Sequence, residues 1–181
     1  MRSAEPDDKI VFFFGGHGEY AEVDMMGSTV GTDCDFQCII AGDGRRIYGK
    51  EFRSWFCDAR YPSVAVTTVF DTCHSGGSLG LPYTYYVKGK VTKSHKVSGK
   101  RVSTPMVQIS ATHPYEVAYS NKFKDGYYGQ LTYSLLRYLK GTEYPTMEGL
   151  VAHLDETCDP TGAQVPQLCS SRKIKGRISL F

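Results

Sequence analysis

The chain has 181 residues, 41% of them hydrophobic, and a formal net charge of +2. This is enough chain for one domain with its own core, and too little charge to suggest nucleic acid or an anionic membrane as partner. No apolar run approaches the roughly 20 residues of a membrane-spanning helix, and Met1–Lys9 lacks the apolar stretch of a secretory signal, so a cytoplasmic, reducing compartment is the default expectation.

Pro6 precedes the apolar run Lys9–Phe14, and Gly15-Gly16 ends it. That punctuation predicts a buried parallel strand. A Gly- and Asp-rich stretch follows from Met26 to Gly44. Gly49 to Arg60 then reads as a helix with Phe52, Trp55 and Phe56 on one face. Val64–Phe70 is a second buried strand, rich in β-branched residues, and Pro105–Ser110 is a third. Between them, Lys88 to Arg101 is rich in Lys, Ser and Gly and reads as a solvated loop. Gln130 to Lys140 is amphipathic, with Leu131, Leu135, Leu136 and Leu139 as its apolar stripe. Thr146 is placed to cap a helix running through Asp155, and Ile178 to Phe181 is a candidate terminal strand. Strands alternating with helices predict an α/β sheet covered on both faces. Six cysteines are present, but a chain of this length without a signal is expected to keep them as free thiols; Cys34 and Cys38 stand four apart, but no second pair of Cys or His sits at zinc-ligand spacing.

Two strand ends carry the chemistry. The first delivers Gly15-Gly16-His17-Gly18 and the second Asp71-Thr72-Cys73-His74-Ser75-Gly76-Gly77. In an open parallel α/β sheet, ligands bind beyond the carboxyl ends of the strands, so both motifs are expected at one edge. Cysteine attacks as the thiolate and needs a base nearby, which nominates Cys73 as nucleophile and His17 as base. Glycines let backbone approach a bound peptide, and the amides of Gly18 and Cys73 are candidates for an oxyanion hole. Each residue also has a plainer reading: His17 as a structural histidine, Cys73 as a small buried hydrophobe. His74, adjacent to the nucleophile, is expected to point elsewhere.

Phe12-Phe-Phe-Gly-Gly-His-Gly18 resembles the histidine motif of metacaspases, and Phe70-Asp-Thr-Cys-His-Ser-Gly-Gly77 resembles their cysteine motif. Leu79-Gly-Leu-Pro-Tyr-Thr-Tyr85 is similar to the segment that follows in fungal members. Gln108-Ile-Ser-Ala111 and Gln130–Leu136 are similar to the strand and helix of the small-subunit half. The resemblance implies a caspase-like three-layer α/β/α sandwich with a mostly parallel sheet. It implies one peptidase domain over 1–181, with 1–87 large-subunit-like, 88–104 a basic linker open to self-cleavage and 105–181 small-subunit-like. It also implies cysteine-type endopeptidase activity through an acyl-enzyme, on protein or peptide substrates with basic residues. Cleavage would follow Arg or Lys, because Asp71 stands two residues before the nucleophile and would line the first pocket. The other reading of Asp71 is a loop-closing turn residue.

Three departures from the family pattern qualify these expectations. Family domains begin with a further strand and helix, so this domain is expected to be N-terminally truncated, with an open sheet edge that a partner chain could complete. The calcium site looks dismantled: Gly49, Lys50 and Gly80 stand where the family offers carboxylates, leaving Asp33, Asp35 and Asp43, so no metal cofactor is expected. Gly15 replaces a common serine, and His113-Pro-Tyr-Glu116 replaces an Asp-rich turn. The alternative function is therefore a weak or inactive pseudo-peptidase acting as a binding or regulatory module.

Overall fold

The computed structural model describes residues 4–21, 33–57, 63–88, 91–96, 102–158 and 162–180. In chain order the elements are β1 (Lys9–Gly15), β2 (Gly18–Tyr20), α1 (Asp33–Phe36), β3 (Gln37–Ile40), β4 (Arg46–Tyr48) and α2 (Gly49–Cys57). Then come β5 (Ala65–Asp71), β6 (Tyr83–Lys88), β7 (Val91–Lys96), β8 (Met106–Ser110), β9 (Ser120–Phe123) and β10 (Gly126–Gly129). The last are α3 (Gln130–Gly141), α4 (Met147–Thr157) and β11 (Gln167–Ser170). Expectations resting on residues 58–60, on Lys90, Lys100, Arg101 and Phe181, or on the side chains of Asp33, Cys57 and Lys88 fall outside the described residues.

The six-stranded main sheet has the order β1-β5-β8-β11-β6-β7. β1, β5 and β8 pair in parallel, in register from Lys9↔Ala65 to Gly15↔Asp71 and from Val66↔Met106 to Phe70↔Ser110. β11 enters antiparallel between β8 and β6, so β6 runs with the parallel set and only β11 and β7 oppose it. Side chains alternate across the sheet and build two cores. On one face Val66, Phe70 and Met106 pack with Phe52 and Phe56 of α2 and with Phe12 and Phe14 of β1. On the other, Val69, Val107 and Ile109 pack with Leu131 and Leu135 of α3 and Leu150 and Leu154 of α4. Helices on both faces make the three layers of a caspase-like sandwich.

Several expectations need correction. β1 is parallel and at an open edge of the sheet, as expected, but it is not a buried strand: α3 and α4 stop short of it, so Val11 and Phe13 are 45% and 54% exposed. Trp55 is also 45% exposed and Leu136 49%, so each apolar stripe is narrower than the sequence suggested. The segment 88–104 is not simply a loop, because β7 pairs with β6 as an antiparallel hairpin. No strand forms over 178–180. There Ile178 and Leu180 are buried in the core, and Thr67 Oγ1 donates to the Leu180 carbonyl. Among the strands not foreseen is β11, four residues long. Within the described part of the Gly- and Asp-rich stretch, β3 pairs with β2 and β4 on either side of that stretch to form a further small sheet.

Candidate active site

The parallel register of β1 and β5 ends with Gly15 beside Asp71, and the Gly16 amide donates to the Asp71 carbonyl at 3.3 Å. The two motif-bearing turns therefore leave the sheet together. Gly18 shows how close they come: a Cβ built there would lie 2.3 Å from the Cys73 carbonyl oxygen and 2.7 Å from Thr72 Oγ1. Only a glycine lets the start of β2 rest directly on the Thr72–Cys73 peptide. β2 is held from its other side by β3, whose Ile40 amide donates to the His17 carbonyl at 3.0 Å. His17 is exposed and Cys73 half-buried.

The Cys73 thiol meets the loop that follows β8. The Ala118 amide donates to Sγ at 3.3 Å, and Sγ faces the Ala118 carbonyl at 3.9 Å. The Cys73 amide itself donates to no acceptor among the described residues. His74 adopts the left-handed region at φ 55°, a cost that clusters at functional turns. Its amide donates to the Glu116 carbonyl, and its Nδ1 lies 2.9 Å from the Pro114 carbonyl. The His74 ring is thus tied to the 113–116 turn. That turn is braced by Glu116, whose Oε2 accepts from the amides of His113 and Val165.

Beneath the Cys73 turn, Gln108 of β8 is fully buried and acts as a hub. Its Nε2 donates to the Ser75 carbonyl at 2.8 Å and to Ser78 Oγ at 3.0 Å, and its Oε1 accepts from the Leu79 amide. Ser75 Oγ donates back to the Thr72 carbonyl. Gln108 was legible only as a polar residue inside an apolar strand.

Asp71 is 7% exposed. Its Oδ2 accepts from the Thr132 amide at 2.9 Å and from the Thr132 hydroxyl at 2.5 Å, in the first turn of α3. Gly129 is required at the helix start, because a Cβ there would sit 2.0 Å from Oδ2. Oδ1 accepts no hydrogen bond among the described residues. Burial pushes the carboxyl above the ordinary range, and the Thr132 bonds pull against that shift. Cys38, beside Glu19, is also pushed up, chiefly by burial.

The region expected to have lost a metal is packed rather than open. A Cβ on Gly49 would lie 1.9 Å from the Ser78 carbonyl oxygen, and Gly80 takes φ +56°. Arg53 Nη1 donates to the carbonyls of Leu79 and Gly80 at 3.0 and 2.8 Å, so a guanidinium already occupies those oxygens. Lys50 lies over the Tyr48 ring, and Asp43 accepts from the Arg45 amide. The described residues contain no group of three or more His, Cys, Asp or Glu side chains able to hold a metal ion. Cys34, Cys38, Cys73, Cys158 and Cys169 are free thiols.

The profile of the caspase domain matches residues 1–175. Among curated proteins, a metacaspase-1 from Yarrowia lipolytica is 36% identical over 92 residues, 49% of this chain and 19% of that protein. An inactive metacaspase-4 from Trypanosoma brucei brucei is 28% identical over 192 residues, 96% of this chain and 53% of that protein. The chain thus spans from about a fifth to about half the length of these relatives. Among solved structures, protein GSU0716 from Geobacter sulfurreducens superposes with a TM-score of 0.65 at 18% identity, over 95% of this chain and 69% of that one.

Proposed function

Because the chain belongs to the caspase-domain family and is metacaspase-like within it, we propose that it is a cysteine endopeptidase cleaving peptide bonds after Arg or Lys, with Cys73 and His17 as its dyad. The observation that carries this reading is the contact of Gly18 with the Cys73 carbonyl, which holds the turn bearing His17 against the turn bearing the thiol.

In the proposed reaction His17 takes the Cys73 proton, and Sγ forms a bond to the scissile carbonyl carbon. The carbonyl oxygen becomes an oxyanion, to which the unspent Cys73 amide donates together with that of Gly18. Collapse breaks the C–N bond, and the proton passes from His17 to the leaving amine. Water then adds to the thioester, releasing the acid and restoring the thiol. For an arginine at the cleavage site, Asp71 Oδ1 is the free acceptor for a guanidinium N–H, while Oδ2 stays on Thr132. The Ala118 amide must leave Sγ as substrate enters. The scheme assigns calcium no role, and it is supported by Arg53, whose Nη1 already donates to the carbonyls of Leu79 and Gly80. The cytoplasm is the proposed compartment, in keeping with the free thiols.

The second reading is a pseudo-peptidase that keeps the pair without turning over. The Ala118 bonds to the thiol favour it. The experiment is hydrolysis of an Arg-terminated fluorogenic peptide, with labelling of Cys73 by Arg- and Asp-chloromethylketones. Hydrolysis lost in Cys73→Ala and His17→Ala, but kept in His74→Ala, supports the dyad. Labelling by the Arg probe alone supports the pocket. An Asp preference refutes the specificity, and an unlabelled Cys73 without turnover selects the pseudo-peptidase.

A further inference from the structure

Far from Cys73, at the amino ends of β5 and β8, lies a half-open cavity of about 220 Å³. Ala65, Val107, Ile174 and Ile178 give it apolar walls, and Arg172 and Arg177 stand at its rim. No acidic residue lines it. β5 separates it from the nucleophile: seven residues at about 3.3 Å each span roughly 20 Å. The cavity is therefore not part of the peptidase centre.

The two arginines are held in place with donors unspent. Arg177 stacks on the Tyr144 ring, 4.4 Å from its centroid, and its guanidinium donates no hydrogen bond among the described residues. Arg172 spends one N–H on the Ser103 carbonyl at 2.9 Å, leaving the rest of its fork. Stacking fixes a planar guanidinium without consuming its N–H groups, which favours recognition of a planar oxyanion. The apolar surface does not end at the cavity. Val11 pairs in register with Thr67, which lines it, so the exposed Val11 and Phe13 continue the same face along β1. In volume the cavity exceeds the roughly 150 Å³ that suffices to hold a benzene ring.

We propose that this cavity is a binding site for a small organic acid, a carboxylate carried on a single ring or a short aliphatic chain. The carboxylate lies between Arg172 and Arg177, and the apolar body lies against Ala65, Val107 and Ile178. Two cations in a lining that holds no acidic side chain make an uncharged molecule of the same shape a poor ligand.

The test is calorimetric titration of the whole chain with sodium octanoate, with 1-octanol as the uncharged counterpart. One saturable site is expected, with 1-octanol at least tenfold weaker. Arg172→Gln and Arg177→Gln should each weaken octanoate about tenfold, with the circular dichroism spectrum and thermal midpoint unchanged. Ala65→Leu, which fills the cavity without touching charge, should abolish binding. If Arg177→Gln fails to fold for want of its Tyr144 stack, Arg172→Gln and Ala65→Leu decide. Equal affinity for octanoate and 1-octanol overturns the proposal, as does undiminished binding in those variants or the absence of a saturable site.

Discussion

Asp71 places its carboxyl where water is largely excluded, and its two bonds from Thr132 oppose the effect of that burial without outweighing it. An acid whose folded value is raised binds more protons folded than unfolded, so stability falls as pH rises across the interval between the two values. For Asp71 that interval opens at the ordinary value near 4 and extends upward. Asp71→Asn removes this slope. Urea unfolding should show the wild type gaining on the variant toward acid and losing ground toward neutrality, and a constant gap would contradict the burial argument. Thr132→Val keeps the charge but removes the hydroxyl donor, and should cost about 1.5–3 kcal/mol as for a hydrogen bond to a charged group. If Asp71 also reads the substrate, Asp71→Asn loses discrimination against neutral side chains while Thr132→Val keeps it. Peptide-panel kinetics on both variants separate a pocket from a cap.

Elements meet at this site through glycines and caps. Gly18→Ala would drive a Cβ into the Cys73 carbonyl, which is backbone and cannot swing aside. The expected outcome is loss of at least about 100-fold in peptide hydrolysis, the scale of losing an acid–base partner, because β2 and the His17 turn must lift off the Cys73 turn. An active Gly18→Ala would show that the contact does not hold the two together. At the other end of the domain, Thr146 caps α4 by accepting from the Gly149 amide at 3.0 Å. Thr146→Ala should cost about 1 kcal/mol in chemical unfolding and leave Cys73 labelling intact. At the sheet edge, Phe13→Lys should change stability by less than about 0.5 kcal/mol, since the ring is more than half exposed, and should reduce self-association.

On the scale of the whole molecule, the proposed reaction scheme assigns no role to a metal. Adding chelator and then millimolar calcium should change neither peptide hydrolysis nor gel mobility. Strong activation by calcium would mean that carboxylates beyond the described groups assemble a site. Self-cleavage in 88–104 should be slow after Lys93 and Lys96, because β7 is bonded to β6 and a protease needs unpaired extended chain. Mass spectrometry of incubated protein would identify the cut positions, and rapid cleavage after Lys93 would show that the hairpin opens readily.

Much of this was legible in the chain itself. Short apolar runs closed by glycine marked β1 and β5, and position after a parallel strand brought the Gly18 and Cys73 turns to one edge. Thr146 declared its helix, since a cap is a contact over three residues. These signals are local, so local sequence determined them. What tertiary structure decided lies in pairings of distant residues: Thr132 to Asp71 across 61 positions, Ala118 to Cys73 across 45, Gln108 to Ser75 across 33. It also decided which apolar residues stay wet. Phe12 and Phe13 are identical side chains one position apart, yet α2 covers one face of β1 and no described helix covers the other. A β-strand alternates its faces by geometry alone, but whether a face is buried depends on a layer contributed from elsewhere in the chain.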